Sequence, residues 1–255
     1  MILAIDIGNT NIVLGCIRDD EILFEARMAT DLLKTADEYC AGLHSILFLN
    51  HFAAADISGC IISSVVPPVL NALCTAVKRL TGHDPMIVGP GIKTGLNVRT
   101  DDPAEVGGDL ITAAVAAVKE YGAPLLIVDM GTATTISAID EKGAYLGGCI
   151  CPGLRISQEA LTNRTSQLPG IRLEMPKKAI GRNTVDCMRS GIMIGAAAML
   201  DGLLERMQEE LGTEAKIIAT GGMVHQILPL CRKPMIYDEN LLLKGLNILY
   251  KNNMK

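Results

Sequence analysis

The sequence of 255 residues has no tryptophan, and aromatic residues make up only 3% of it. Proteins that bind single-stranded nucleic acids stack the bases on aromatic side chains, so such a surface is not expected here. The formal net charge is −5 and the pI is about 5.4. Nucleic-acid-binding domains are usually basic. The composition therefore argues against a nucleic-acid partner.

Long hydrophobic runs are also missing. A membrane-spanning helix needs ~20 consecutive apolar residues. The longest apolar segment is GIMIGAAAML at 191–200, and it ends at Asp201. The first residues do not show the charged region and apolar stretch of a secretory signal. We therefore expect a cytoplasmic protein without membrane association.

The cysteines lack the spacing of a metal site. None of them forms a CxxC pair, and no histidine is near the only close pair, Cys149 and Cys151. Zinc sites combine cysteine and histidine ligands at characteristic spacings. We interpret these residues as reduced thiols, mostly buried in apolar surroundings. The eight positions are 16, 40, 60, 74, 149, 151, 187 and 231.

Hydrophobic residues are plentiful, at 49%, and the mean hydropathy is +0.32. This length and composition are typical of a folded protein with one large or two modest domains. Periodicity and turn residues predict the order β-β-β-α-β-α-β, which then restarts. Strands are predicted at 2–7, 11–17, 21–28, 60–66, 85–89, 124–129, 133–139, 143–150, 215–219 and 234–237. Helices are predicted at 36–49, 67–80, 107–121, 154–163, 184–211 and 239–250.

Two strands carry an acidic residue directly before a glycine turn. They are ILAIDIGNTN at 2–11 and LLIVDMGTATT at 125–135. The acidic residues, Asp6 and Asp129, are 129 − 6 = 123 residues apart, almost half the chain. Such a repeat indicates an internal duplication at the scale of a domain. We predict one domain over 1–115 and a second over 116–255.

The chemistry of these turns points to phosphate. Backbone N–H groups in a glycine turn form a concave anion site, and threonine and asparagine add donors. A carboxylate repels phosphate, but it can hold a divalent metal through water. The sequence therefore predicts two hairpins that bind Mg·nucleotide phosphates. A single motif of this kind could also be an ordinary hairpin turn. Two copies at equivalent places in the two halves of the chain make this alternative less attractive.

Other nucleotide motifs are absent or weak. The sequence contains neither GxxxxGK[ST] nor GxGxxG. Thr220-Gly221-Gly222 follows a predicted strand, and its glycines would let an adenosine lie against the backbone. A simple turn at the end of a strand explains the same residues equally well. Gly191 and Gly195 have GxxxG spacing on a long helix, which indicates close helix packing or a dimer contact.

Together the motifs resemble type III pantothenate kinases, within the superfamily of actin, sugar kinases and heat-shock chaperone ATPases. The resemblance covers nearly the whole chain. It implies an α/β fold of two ribonuclease H-like domains with the active site in the cleft between them. The motifs are DIGNTN, VGGD at 106–109, DMGTAT at 129–134, GGCICPGL at 147–154, GRNT at 181–184 and TGG at 220–222.

The resemblance implies ATP-dependent phosphorylation of pantothenate to 4′-phosphopantothenate, the first step of coenzyme A biosynthesis. It also implies a homodimer that uses Mg²⁺ or another divalent cation and K⁺ or NH₄⁺. Asp109 would be the catalytic base, and Asp129 would bind the monovalent cation. Asp6 would hold Mg²⁺, through water. The implied ATP-binding residues are Asp6, Ile7, Gly8, Asn9, Thr10, Asn11, Ile12, Val13 and Thr132. The implied pantothenate-binding residues are Gly107, Gly108, Asp109, Leu110 and Thr184.

The residues themselves support a base at Asp109. It follows two glycines at the start of a predicted helix, where the helix dipole favours an ionised carboxylate. Phosphoryl transfer to an alcohol uses a carboxylate to accept the hydroxyl proton. An acidic residue that only stabilises the helix start is the alternative.

The substrate side departs from the family pattern. Leu110 stands where the family has an arginine, and Thr100 stands near where it has a tyrosine. A guanidinium would bind the pantothenate carboxylate at two points, which leucine cannot do. Three interpretations follow: another cation compensates, the acceptor is a different hydroxyl compound, or the protein binds nucleotide in a regulatory role. We prefer the first, and the candidate cations are Arg99, Arg155 and Arg164.

Overall fold

The computed structural model describes residues 1–254 as an α/β protein. Its strands are β1 (Ile2–Ile7), β2 (Asn11–Arg18), β3 (Glu21–Ala29), β4 (Gly59–Ser64), β5 (Met86–Ile87), β6 (Asn97–Val98), β7 (Leu125–Met130), β8 (Ala133–Ile139), β9 (Ala144–Pro152), β10 (Lys216–Thr220) and β11 (Ile236–Tyr237). Its α-helices are α1 (Ala36–Leu49), α2 (Pro67–Thr81), α3 (Gly108–Tyr121), α4 (Leu154–Arg164), α5 (Thr184–Leu211), α6 (Val224–Ile227) and α7 (Leu241–Asn253).

The chain forms two compact units. The first contains Met1–Leu96, Asp101–Lys119 and the described chain from Asn240 onward. The second contains Asn97–Thr100 and Glu120–Glu239. The last helix, α7, therefore belongs with the N-terminal part of the chain, whereas a single division after residue 115 would put it in the second domain.

The first unit is built on a five-stranded sheet in the order β3-β2-β1-β4-β5. Strand β1 is antiparallel to β2 and parallel to β4. Because side chains alternate along a strand, Leu3, Ile5 and Ile7 share one face of β1. They pack in the core with residues of α1 and α2 such as Leu43 and Leu73.

Helix α7 covers the other face of this sheet. A Cβ atom on Gly15 of β2 would lie 2.9 Å from Leu243 Cδ1, and one on Gly59 of β4 would collide with the Tyr250 side chain. Burial of Leu243, Leu246 and Leu249 removes apolar surface from water and stabilises this contact. The physical reason for the position of α7 is thus its apolar face, which completes the first sheet.

The second unit has a six-stranded sheet in the order β11-β10-β7-β8-β9-β6. Strand β7 is antiparallel to β8 and parallel to β10. Its core combines β7 residues with apolar residues of α5, including Met193, Leu200 and Leu204. Apart from β6, this arrangement repeats that of the first unit, with β9-β8-β7-β10-β11 in place of β3-β2-β1-β4-β5. The predicted duplication is therefore confirmed.

Most predicted elements occur within a few residues of their expected bounds. The capping box of α1 is present, with Thr35 as N-cap and Glu38 as its partner. Asn183 caps α5, since its side chain accepts a hydrogen bond from Asp186 N at 2.9 Å. The short strand β6 was not predicted. It pairs with β9 over only two residues, in a segment rich in glycine and proline.

Helix α5 is the one helix, among the residues that the structure describes, that is long and apolar enough to cross a membrane. This is weak evidence, because the core helix of a soluble protein passes the same test. The buried side chains of α5 lie in the core of the second unit. Gly191 and Gly195 are exposed, and Cβ atoms on them would meet nothing within 4 Å. Close packing within the chain, one of the two predicted roles of this GxxxG pair, is thus wrong.

Candidate active site

The first acid-bearing hairpin joins β1 and β2. Asp6 is 7% exposed, and it lies opposite Val13 of β2 and Ser63 of β4. Ile7 and Ile12 flank the turn and are fully buried, so they fix its position. Gly8 N donates a hydrogen bond to Asn11 O at 3.0 Å, which closes the turn.

The turn itself is open to solvent. Asn9, Thr10 and Asn11 are exposed, and a Cβ atom on Gly8 would lie 3.1 Å from Asn11 O. Glycine therefore keeps the turn narrow, and a narrow turn with polar residues at the surface is typical of an anion site. The eight predicted ATP-binding residues at 6–13 occupy one continuous hairpin. Ile7 and Ile12 contribute to it through the backbone, since their side chains belong to the core.

The second hairpin joins β7 and β8. Its closing hydrogen bond spans one residue fewer than the bond from Gly8 N to Asn11 O in the first hairpin. Gly131 N donates to Ala133 O at 3.0 Å. Thr132, at the tip, is exposed. The start of α4 packs against this turn, because a Cβ atom on Gly153 would collide with Thr132 O and would lie 2.9 Å from Gly131 O. The glycine of the Pro152-Gly153 pair is thus required by close backbone contact.

The Thr220-Gly221 turn lies next to this second hairpin. In the parallel pairing of β7 and β10, Thr220 is opposite Asp129. Gly221 has φ = +102°, and a Cβ atom on it would lie 2.6 Å from both Asp129 Oδ1 and Met130 O. From the sequence, a ligand site and a simple turn explain these residues equally well. The structure places it directly against the Asp129 carboxylate.

Asp109 lies in the first turn of α3, in the first unit. Its Oδ1 accepts a hydrogen bond from Leu110 N at 2.9 Å. Burial raises the pKa of Asp109, while the backbone hydrogen bonds to its carboxylate lower it by less. A base with a raised pKa holds a proton more readily than an exposed carboxylate, which suits proton acceptance from an alcohol.

The glycines before Asp109 bring it to the same end of the sheet as Asp6. A Cβ atom on Gly108 would lie 3.4 Å from Val88 Cγ1 and 3.5 Å from Ser63 Oγ. Ser63 is fully buried, and its hydroxyl has no hydrogen-bond partner. Ser63 is also the partner of Asp6 in the pairing of β1 and β4. Ser63, which the sequence did not single out, therefore lies beside both Asp6 of β1 and the glycine that precedes Asp109. The only signal for it was its position at the end of a buried strand.

The remaining substrate residues are divided between the units. Gly107, Leu110 and their neighbours belong to the first unit, whereas Thr184 is the exposed first residue of α5 in the second. Of the three candidate cations for a carboxylate, Arg99 contacts Asp140 Oδ2 at 3.7 Å. Arg155 and Arg164 are exposed on α4.

The carboxylates near the two hairpins decide what kind of metal site the protein can form. Within residues 1–254 there is no group of three or more histidine, cysteine, aspartate and glutamate side chains that could hold a metal ion. Mg²⁺ bound with a nucleotide does not need such a group, because phosphate oxygens and water supply most of its ligands. One carboxylate beside a phosphate turn, as at Asp6, fits this requirement. Asp129 beside the second turn offers a similar single carboxylate.

The two most buried cysteines, Cys16 and Cys60, have environments that suppress thiolate formation. All eight cysteines are free. Burial raises the pKa of Cys16 to about 12 and that of Cys60 to about 11. Both are therefore protonated at neutral pH and act as small apolar side chains, as the sequence predicted.

Comparison with solved structures identifies the fold. A Campylobacter jejuni protein named as a Baf family transcriptional activator matches with a TM-score of 0.63 and 19% identity, covering 99% of this chain and 98% of that one. A Sinorhizobium meliloti protein named as a 2-dehydro-3-deoxygalactonokinase matches with a TM-score of 0.61 and 14% identity, covering 98% of each chain. At these identities the similarity shows the fold alone. The similarity agrees with the predicted fold class, an α/β fold built from two related domains.

Sequence comparison identifies the family. The model of the type III pantothenate kinase family matches residues 2–206. The type III pantothenate kinase of Halalkalibacterium halodurans is 46% identical over 254 residues, which cover 100% of both chains. The match to the family model and the full-length relative agree with the two acidic hairpins seen in the structure. The chain therefore belongs to the type III pantothenate kinase family.

Proposed function

We propose that this protein transfers the γ-phosphoryl group of ATP to the hydroxyl group of pantothenate, the first step of coenzyme A biosynthesis. Membership of the type III pantothenate kinase family supports this activity. The structural observation that carries this proposal is the position of Asp109, which is half-buried in the first turn of α3. It directly follows Gly108, which packs near Ser63, the strand partner of Asp6.

In the proposed reaction, Asp109 accepts the proton of the acceptor hydroxyl. The hydroxyl oxygen then forms a bond to the γ-phosphorus, and the bond from that phosphorus to the β–γ bridging oxygen breaks, so that ADP leaves. The turn at 8–11 and Thr132 hold the ATP phosphates through backbone N–H groups and side-chain donors. Asp6 is the residue that would hold Mg²⁺, which would neutralise charge at the phosphates.

Pantothenate binding is assigned to Gly107–Leu110 and Thr184. Asp129 is assigned to a monovalent cation, K⁺ or NH₄⁺, and the Thr220-Gly221-Gly222 turn to the adenosine. The contact between Gly221 and Asp129 supports a common role for these two segments. We further propose a cytoplasmic homodimer in which the exposed face of α5 around Gly191 and Gly195 is the contact surface.

A second candidate is phosphorylation of another small hydroxyl compound. Leu110 favours it, because an apolar side chain replaces the arginine that would bind the pantothenate carboxylate. In the leading proposal Arg155, Arg164 or Arg99 compensates for this loss.

The test is release of ADP from Mg·ATP, measured with and without pantothenate, in potassium buffer and again in sodium buffer. Pantothenate-dependent release that requires potassium is the expected result. A protein that binds Mg·ATP without any stimulation by pantothenate would contradict the leading proposal and favour another acceptor or a regulatory role.

A further inference from the structure

Thr30, just beyond the end of β3, bonds to the first phosphate hairpin twice. Its Oγ1 donates a hydrogen bond to Gly8 O at 2.6 Å. Its backbone N donates to Thr10 O at 3.0 Å. Thr30 therefore binds the carbonyl groups of Gly8 and Thr10, the two neighbours of Asn9 in the chain. Asn9 is exposed in the middle of the turn.

These bonds control which groups the turn presents to an anion. In a trans peptide the C=O and the following N–H point in opposite directions. Holding the Gly8 carbonyl toward Thr30 thus directs the Asn9 N–H away from Thr30. A carbonyl oxygen carries partial negative charge and would repel phosphate, whereas the N–H attracts it. The Thr30 hydroxyl selects the orientation that suits an anion.

Thr30 is itself held by the core of the first unit. The hydroxyl of Tyr39, on α1, accepts a hydrogen bond from Asp31 N at 3.1 Å and donates one to Asp31 O at 2.8 Å. Tyr39 is fully buried. The residue next to Thr30 is therefore fixed at both its backbone groups, and Thr30 acts from a rigid support.

We infer that Thr30 is a positioning residue for the phosphate donor: its hydroxyl holds the Gly8 carbonyl so that the Asn9 amide faces the nucleotide phosphates. The inference rests on the proposed function of this hairpin in ATP binding. Because Thr30 acts through the turn, loss of its hydroxyl should change the affinity for ATP and leave the affinity for the acceptor unchanged.

The test compares Thr30→Val, which keeps the shape of the side chain and removes its donor, with Thr30→Ser, which keeps the donor. Calorimetric titration with Mg·ATP in the absence of pantothenate gives affinity, and steady-state kinetics give a separate KM for each substrate. Thr162→Val is the matched control, since Thr162 is also half-buried and its Oγ1 donates to Gln158 O at 3.0 Å on α4.

We expect Thr30→Val to weaken Mg·ATP binding about 3- to 10-fold, as the loss of one hydrogen bond does, and to raise the KM for ATP alone. Thr30→Ser and Thr162→Val should bind as the wild type does. If Thr30→Val does not fold, Thr30→Cys replaces it, because a thiol is a weak donor. Equal loss in the Ser and Val variants, or an equal rise in both KM values, would overturn the inference.

Mg·ATP binding by the wild type and by Thr30→Val distinguishes an error about Thr30 from an error about the proposed function. If the wild type binds Mg·ATP and Thr30→Val binds it equally well, only the role of Thr30 is wrong. If the wild type does not bind Mg·ATP, the hairpin is not a nucleotide site, and both are wrong.

Discussion

Asp129 lies opposite Thr220 across the parallel strands β7 and β10, and the carboxylate of Asp129 therefore meets the backbone of the next residue, Gly221. Only a residue without a Cβ atom fits there. The TGG turn, weak as a motif, becomes part of the Asp129 site through this one contact.

Gly221→Ala is expected to destabilise the second unit. The new methyl group would lie 2.6 Å from Asp129 Oδ1 and Met130 O, and the backbone has φ = +102°. The backbone conformation alone costs roughly 1–3 kcal/mol for a residue with a side chain, and the collision adds to it. Urea unfolding followed by circular dichroism gives the change in the free energy of unfolding.

Gly212→Ala separates the two causes. Gly212 also has a positive φ, +67°, but a Cβ atom on it would meet nothing within 4 Å. We expect a loss of about 1 kcal/mol there, from the backbone alone. Equal losses at Gly212 and Gly221 would show that the contact with Asp129 does not matter.

Asp109→Asn should lower turnover about 10²- to 10⁴-fold, the usual contribution of a general base. An amide of the same shape cannot accept the hydroxyl proton. Mg·ATP binding should persist, because the ATP turns are separate in sequence and their hydrogen bonds do not involve Asp109. ADP release and calorimetry on the same preparation check both statements, and turnover at the wild-type rate would remove Asp109 from the mechanism.

The pH dependence of turnover should show the effect of burial on the pKa of Asp109. Burial raises the pKa of Asp109, so the acidic limb of the profile of kcat against pH should lie above the ordinary aspartate value of about 3.9. The base is active when ionised, and activity should fall as the pH drops through this raised pKa.

The raised pKa of Asp109 also makes the free energy of unfolding depend on pH. A carboxylate whose pKa is higher in the folded state than in the unfolded state favours folding at low pH, and this contribution is lost as the pH rises through the folded pKa. Asp109→Asn should therefore have a slightly higher free energy of unfolding than the wild type at pH 7. The difference should shrink at acidic pH, which urea titrations at both pH values can measure.

Asp129→Asn should remove the dependence of the rate on potassium. The substitution keeps the size of the side chain and removes its charge, which is what attracts a monovalent cation. The measurement is the ratio of rates in potassium and sodium buffers. Asp84→Asn is the control, because Asp84 is an exposed carboxylate bonded to Lys78 at 2.8 Å in the first unit, and that variant should keep the wild-type ratio.

Gly191→Leu should shift the protein from dimer to monomer without unfolding it. Gly191 is exposed on α5 with nothing within 4 Å of a new Cβ atom, so the larger side chain fits the isolated chain but not a close helix contact. Size-exclusion chromatography with light scattering gives the mass. Gly170→Leu, also without neighbours within 4 Å, should leave the mass unchanged, and a dimeric Gly191→Leu would place the interface elsewhere.

The local elements were predictable because short-range chemistry sets them. The strand at 2–7 ends where Gly8 permits a tight turn, and α1 begins where Thr35 and Glu38 form a capping box. The strand β6 was not predictable, since its two residues pair with β9, 144 − 97 = 47 residues later in the chain. The assignment of α7 to the first unit also depends on distant contacts, with β2 and β4.

The sequence by itself determined the duplicated strand pattern, the two acidic hairpins and the family, because these depend on residue order and on bonds between near neighbours. Only the tertiary structure decided that Ser63 lies between Asp6 and the start of α3, that Gly221 lies against Asp129, and that Thr30 holds Gly8. The physical reason is the pairing of strands distant in sequence: β4 pairs with β1 and β10 pairs with β7. The return of β3 along β2 likewise brings Thr30 to Gly8, 22 residues earlier in the chain, and such spacings carry no signal in the sequence.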